Sequence, residues 1–378
     1  MRSWVDDEVL ALGQLADRYL AASVTPYQER WDAEKRVSRD VWREAGRLGL
    51  LLCSMPERYG GGGGTFAHEL AVMEAQGRAF DWAWGNIVHS GIVAHYVLAF
   101  GTEEQRLRWL PGMATGELIA AIAMTEPDAG SDLKTMATRA DRDGDRYVIN
   151  GAKTFISNGA TADLVLVAAK TDPKAGARGI SLIMVEVNDC KGFSRGRVLD
   201  KLGQHGADTS ELHFANACVP QDHLLGGVEG RGFAQMMEQL PQERLCIAVM
   251  CAAAMERAVS DTASYVKSRN AFGGSLFDLQ NTRFVLAEAI TTATIGRAFV
   301  DECVSDHLAG RLSAEKAAMA KWWLTDRQFR LFDDCVQLLG GYGYMREYPL
   351  ARAFIDTRVQ RVYGGANEVM KDVIARGI

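Results

Sequence analysis

The hydrophobic pattern of this chain changes its period twice. Up to about Glu117, apolar residues recur every three or four positions, as in Leu10, Leu12, Leu15, Ala16, Tyr19 and Leu20, and Val41 through Leu52 keeps the same spacing. Side chains at that interval share one face of a helix, so this stretch predicts helices with one buried stripe each. Tyr59 followed by Gly60 to Gly64 predicts a flexible loop between two of them. No Gly-Lys-Ser/Thr follows those glycines, so they do not form a phosphate-binding loop of the usual kind. Between Leu118 and about Leu225 the apolar runs become short and are bounded by turn residues: Tyr147-Val148-Ile149 before Asn150-Gly151, then Leu164 to Ala169 and Ile180 to Val185. An Asn-Gly pair favours a tight hairpin, and the whole segment predicts a β domain. From Gly232 onward the helical period returns. Ala318, Trp322, Thr325, Phe329, Phe332, Val336 and Leu339 form one stripe that stops at Gly340-Gly341, which predicts long antiparallel helices and a bundle. The expected organisation is α+β and multidomain, with a helical unit at 1–117, a β unit at 118–225 and a helical bundle at 226–378. No internal repeat or low-complexity segment interrupts it.

Composition narrows the function classes. The chain has 378 residues, 48% apolar and 24% charged, which is enough to bury a cofactor within shared cores. A net charge of -6 gives no basic field for a polyanion, so nucleic acid is not an expected partner. Seven scattered cysteines, with no Cys-x-x-Cys and no zinc-type histidine spacing, predict reduced, buried thiols and no metal site. The acidic start Met1-Arg2-Ser3-Trp4-Val5-Asp6-Asp7-Glu8 lacks the character of a signal or transit peptide, Arg376-Gly377-Ile378 is not a peroxisomal address, and no apolar run is long enough for a transmembrane segment. A cytoplasmic location in a bacterium is expected, or a mitochondrial matrix once a presequence has been removed.

Four segments carry the chemistry. Ala123-Met124-Thr125-Glu126-Pro127-Asp128-Ala129-Gly130-Ser131-Asp132 offers backbone N–H groups and hydroxyls beside small residues, so main chain can approach a polar heteroaromatic ring. Lys153-Thr154-Phe155-Ile156-Ser157-Asn158-Gly159 adds an aromatic and a hydroxyl, and Arg269-Asn270-Ala271-Phe272-Gly273 with Leu279-Gln280 adds a guanidinium that can fork onto phosphate. Gln337-Leu338-Leu339-Gly340-Gly341-Tyr342-Gly343-Tyr344 is the fourth. Each alone is equally a surface turn or a helix end. Their order and spacing over residues 85 to 378 resemble the acyl-CoA dehydrogenase family, and Leu240-Pro241-Gln242-Glu243-Arg244-Leu245 with Val362-Tyr363-Gly364-Gly365-Ala366-Asn367-Glu368 resembles its long-chain subgroup.

That resemblance implies a barrel-like β domain, a C-terminal four-helix bundle and noncovalent FAD. It assigns Met124, Thr125, Ser131, Phe155, Ser157, Arg269, Phe272, Gln280, Gln337, Gly341, Ala366 and Glu368 to the cofactor, with Phe155 against the isoalloxazine and Arg269 and Phe272 reaching the flavin of a neighbouring subunit. Ser131, Arg244 and Gly365 fall to the substrate, although an intersubunit ion pair is equally ordinary for Arg244. The implied assembly is a homotetramer, a dimer of dimers, whose flavin is reoxidised by an electron-transferring flavoprotein. Ala366 stands where the subgroup usually has threonine.

The implied reaction is α,β-dehydrogenation of an acyl-CoA thioester to the trans-2-enoyl-CoA, with FAD N5 accepting the β hydride. It needs a base for the α proton and donors on the thioester carbonyl, since the proton is too weakly acidic for an unaided carboxylate. Gly364 occupies the place where the family usually carries its catalytic glutamate; its backbone N–H can still serve the carbonyl. On the residues alone Glu243 reads as a first-turn carboxylate just after Pro241, favoured there by the helix dipole. The resemblance and the missing side chain at Gly364 together make it the base. His89 and His95 read as core or surface histidines. Two other readings share the motifs: an oxygen-using oxidase or flavin monooxygenase of the same fold, and a flavin-binding subunit without turnover.

Overall fold

Local sequence explains most element boundaries in the computed structural model, which describes residues 2–378. The amino-terminal third holds α1 (Asp7–Ser23), α2 (Gln28–Glu34), α3 (Arg39–Arg47), α4 (Phe66–Arg78), the short α5 (Asn86–Val88), a π-helical turn (His89–Val93), α6 (Ala94–Phe100) and α7 (Glu103–Ala114). Asp6 starts α1 by accepting the Val9 N–H at 2.8 Å, and Thr102 and Gln105 cap α7 reciprocally. The helix expected over Val41–Leu52 ends at Arg47. Gly49 turns left-handed (φ +71°) and Leu50 N–H reaches back to Ala45 O at 2.9 Å, so Leu50 to Leu52 enter the core as turn residues.

The glycine run is not a flexible loop. Gly62, Gly63 and Gly64 donate to Leu52 O, Met55 O and Cys53 O at 3.1, 2.8 and 3.0 Å. A Cβ on Gly62 would stand 2.8 Å from Cys53 O, so the glycines are there for close backbone approach.

Seven strands follow: β1 (Ala120–Ala123), β2 (Arg139–Asp143), β3 (Arg146–Ser157), β4 (Leu164–Lys170), β5 (Ile180–Glu186), β6 (Phe193–Val198) and β7 (Thr209–Pro220). They form one curled sheet in the order β1-β4-β2-β3-β7-β6, with β5 antiparallel to β4. The hairpin expected at Asn150-Gly151 lies elsewhere. β2 and β3 turn at Gly144-Asp145, where Gly144 is left-handed (φ +63°), and Asp143 pairs with Arg146. Asn150-Gly151 sits inside β3 at a register shift against β7, because any Cβ on Gly151 would run into Thr138.

The last part is helical: α8 (Gly232–Ser268), a two-strand ribbon of β8 (Asn270–Ala271) and β9 (Gly274–Ser275), α9 (Gln280–Leu308), α10 (Ala314–Leu339), α11 (Pro349–Asp356) and α12 (Asn367–Ala375). Helix α8 starts nine residues before Pro241 and runs through it, so Glu243 is not a first-turn residue and the dipole reading fails. Proline removes one N–H from the ladder, and the tertiary packing tolerates that loss. Every residue from Gln242 to Met255 is buried, since α8 packs against α4 on one side and α9 and α10 on the other. On α10 the expected stripe is displaced by about a residue: Ala318, Thr325, Phe332 and Leu339 are buried, but Lys321 and Gln328 share the inner face while Trp322, Phe329 and Val336 flank it. All seven cysteines are free and six are buried. Among the described residues no helix is long and apolar enough to cross a membrane.

Candidate active site

Glu243 stands on the buried stretch of α8 and is only 6% exposed. Its Oε1 accepts from the Tyr96 hydroxyl at 2.9 Å; Oε2 has no partner within the described chain, yet is not sealed from water. Burial pushes the carboxyl up to about 7, against the Tyr96 hydroxyl and the Arg244 guanidinium, which both pull it down. Such a carboxyl is available as a base near neutral pH.

One turn further along α8, Ile247 shares the face of Glu243, and it abuts the Gly364-Gly365 loop. A Cβ on Gly364 would lie 2.6 Å from Ile247 Cδ1, and both glycines are left-handed, with φ of +65° and +93°. The loop is pinned from behind. Arg244 Nε donates to Gly364 O at 3.4 Å, while Lys321 Nζ donates to Gly365 O at 2.7 Å and to Asn367 Oδ1 at 3.0 Å. Arg244 is buried and turned inward to this loop, which disfavours the intersubunit ion pair. Burial pushes the Lys321 ammonium down to about 8, with Arg244 pushing the same way. The Gly364 N–H makes no hydrogen bond within the described chain, so it remains a donor for a ligand.

Across the β domain, β3 bends out at Phe155, whose ring is 66% exposed on a left-handed backbone (φ +58°). Thr154 N–H bonds to Thr125 O at 3.0 Å, which brings Met124 and Thr125 alongside Phe155 and Ser157. The buried pair Lys153 and Glu126, 2.8 Å apart, locks the two segments together: Lys153 also donates to Met124 O at 2.9 Å, and Glu126 accepts from Ala137 and Thr138 N–H at 2.5 and 2.9 Å. Burial would raise the Glu126 carboxyl, but Lys153 and these donors hold it below its ordinary value. The hydroxyls of Thr125, Ser131 and Ser157 have no partner within the described chain. Free hydroxyls around an uncovered aromatic fit a planar, polar, heteroaromatic ring such as a flavin.

The remaining predicted contacts gather at one end of the bundle. Arg269 caps α8, Phe272 is 94% exposed at the tip of the small ribbon, and Gln280 opens α9. Gln337 and Gly341 stand exposed at the end of α10, where the Arg269 guanidinium lies 5.9 Å from the ring of Tyr342. Within one chain no hydrogen bond or ion pair joins this group to Phe155 and Ser157. Ala366 is the N-cap of α12 and has no side chain to cap it, and Glu368 is exposed in its first turn. Ala366→Thr is therefore expected to stabilise the protein by ~1 kcal/mol, a rise in Tm of about 1–2 °C; a lower Tm would show that the loop rejects the side chain.

His89 is a satisfied core residue, bonded to Met113 O at 3.0 Å and accepting from Ala120 N–H at 3.1 Å, and burial pushes it down to about 4. His95 is likewise held neutral, its value pushed by burial down to about 3. Sequence reasoning missed Tyr96, Lys321 and the Lys153–Glu126 pair. Only Lys321 left a signal, as a lone cation on the inner stripe of α10.

Comparison with known proteins gives the family and the fold. Family models for the acyl-CoA dehydrogenase N-terminal, middle and C-terminal domains match residues 6–117, 121–217 and 230–378. A long-chain specific acyl-CoA dehydrogenase, mitochondrial, of Sus scrofa is 45% identical over 96% of this chain and 84% of its own length. An acyl-CoA dehydrogenase of Bacillus subtilis is 34% identical, covering 98% of both. The crystal structure of an acyl-CoA dehydrogenase from Geobacillus kaustophilus superposes with a TM-score of 0.97 at 43% identity, over 100% of this chain and 99% of the other.

Proposed function

The chain belongs to the acyl-CoA dehydrogenase family, oxidoreductases acting on CH–CH bonds, and from that premise we propose that it converts an acyl-CoA thioester to the trans-2-enoyl-CoA with Glu243 as the base. The observation that carries this reading is a buried carboxyl with one free oxygen, raised to about 7, on the α8 segment whose Arg244 and Ile247 touch the Gly364-Gly365 loop, where Gly364 itself brings no carboxylate. A bound FAD, held by Thr125, Ser131, Phe155 and Ser157, would accept the hydride from the β carbon. The Gly364 N–H donates to the thioester carbonyl and stabilises the enolate that forms as Glu243 takes the α proton. Arg244 and Lys321 hold Gly364 and Gly365 from behind, so this donor is in place before substrate arrives. Ile247 closes the wall between base and loop and keeps water from the reacting carbons. Anaerobic titration of the purified protein with a panel of acyl-CoA thioesters, followed by flavin bleaching, tests the reading; no bleaching with any chain length would overturn it.

We further infer a homotetramer with shared cofactor sites, reoxidised by an electron-transferring flavoprotein. Phe272 and Arg269 support this, standing exposed at a bundle end, where the guanidinium faces the Tyr342 ring and has no hydrogen bond or ion pair among the described residues. Arg269→Ala is expected to lose FAD and weaken the oligomer together, since one guanidinium would serve both. Full FAD content in a stable tetramer of that variant would refute the shared site.

A further inference from the structure

Helix α6 is entered through the π-helical turn His89–Val93, where the Ala94 N–H bonds back to His89 O. A π turn accommodates one extra residue and rotates everything after it around the helix. Two consecutive residues of α8 are held by this segment: Gln242 Nε2 donates to Gly91 O at 2.9 Å, and the Tyr96 hydroxyl donates to Glu243 Oε1 at 2.9 Å. Gly91 permits the approach, because a Cβ there would collide with Met73 and lie 3.4 Å from Cys246 Sγ. Tyr96 is fully buried, and its ring packs edge-on to Phe100 with centroids 6.1 Å apart, so its hydroxyl has little freedom to turn away.

Resting on the reading of Glu243 as base, we propose that Tyr96 is its positioning residue: the phenol fixes Oε1 through the π turn and leaves Oε2 as the oxygen that takes the α proton. Tyr96 keeps its own proton throughout; the bond broken is the substrate's Cα–H and the bond formed is Oε2–H. The other charged or titratable groups around the carboxyl are Arg244 and Cys246 on α8 itself, Glu69 on α4 facing Cys246, and Lys321 on α10 beside Arg244. None of these is hydrogen-bonded to Glu243, whereas Tyr96 is. A donor to an ionised carboxylate favours the ionised form, so deleting it raises the carboxyl further.

Tyr96→Phe in the holoenzyme tests this. The pH midpoint of flavin reduction by substrate is expected to move up by about one unit, with the limiting rate about tenfold lower and KM little changed. A readout independent of turnover is the carboxyl-stretch band in pH-difference infrared spectra, assigned by its loss in Glu243→Gln; its midpoint should rise by the same amount. Should the phenylalanine variant fail to fold, 3-fluorotyrosine placed at position 96 keeps the shape and makes a stronger donor, and both midpoints should move down instead. Midpoints that stay in place in whichever variant folds would overturn the positioning role and leave the base assignment standing. Near-normal reduction in Glu243→Gln would overturn the base assignment itself, so the two failures are distinguishable.

Discussion

Glu243→Gln keeps a yellow, acyl-CoA-binding protein whose flavin reduction by substrate is slower by at least ~10²–10⁴-fold, the usual loss when a general base is removed. The amide preserves the volume of the side chain and can still accept from Tyr96 at Oε1, so fold and cofactor should survive. What it removes is the buried carboxyl that precedes Arg244, the residue holding Gly364 O. The wild-type protein adds a second signature. Because burial raises this acid to about 7 rather than leaving it near its ordinary 4.5, the ionised, active form is lost as pH falls through about 7. The rate in the wild type should therefore fall about tenfold per pH unit below that value. The glutamine variant should show no such limb, and stopped-flow reduction across pH 5.5 to 9 compares them directly. A limb retained in Glu243→Gln would assign it to another group.

How much of this was legible in the sequence depended on whether a feature is local. The helix–sheet–helix order follows from the change of hydrophobic period, and β4 and β5 coincide with the apolar runs at Leu164 and Ile180. Errors came where tertiary contact overrode a local rule. Asn150-Gly151 has hairpin chemistry, but Thr138 crowds Gly151 and turns the pair into a bulge. Pro241 looks like a helix start, yet α8 is packed on so many sides that it passes through. The run Gly60 to Gly64 looks mobile and is instead pressed against Cys53 and Met55. The site divided in the same way. Phe155, Arg269 and Phe272 lie in segments with recognisable order, whereas Tyr96 reaches Glu243 across 147 positions and has no local signature. Lys321 depends in the same way on a fold that brings Gly365 over its ammonium.

Moving the carboxylate from α8 to the loop tests whether the two positions aim at one proton. The structure shows what the move must overcome. A non-glycine residue at Gly364 has to adopt a φ of +65°, at a cost of about 1–2 kcal/mol, and its Cβ would sit 2.6 Å from Ile247 Cδ1. Ile247→Val deletes that one atom for about 0.5–1.5 kcal/mol of lost packing, part of which the new side chain refills. Position 243 lies inside a 37-residue helix, so alanine, with its high helix propensity, is the better replacement there than glycine. The informative pair is Glu243→Ala/Ile247→Val with and without Gly364→Glu. The version carrying the glutamate should recover at least about tenfold in flavin reduction, a fraction of what a well-placed base supplies, because its backbone is strained and it lacks the Tyr96 hydroxyl. Its chain-length preference should shift as well, since Ile247 is part of the wall between base and loop. If that protein retains FAD and binds acyl-CoA yet reduces no faster than its partner, the loop does not face the proton that Glu243 removes, and the geometry connecting α8 to Gly364 would have to be read as packing alone.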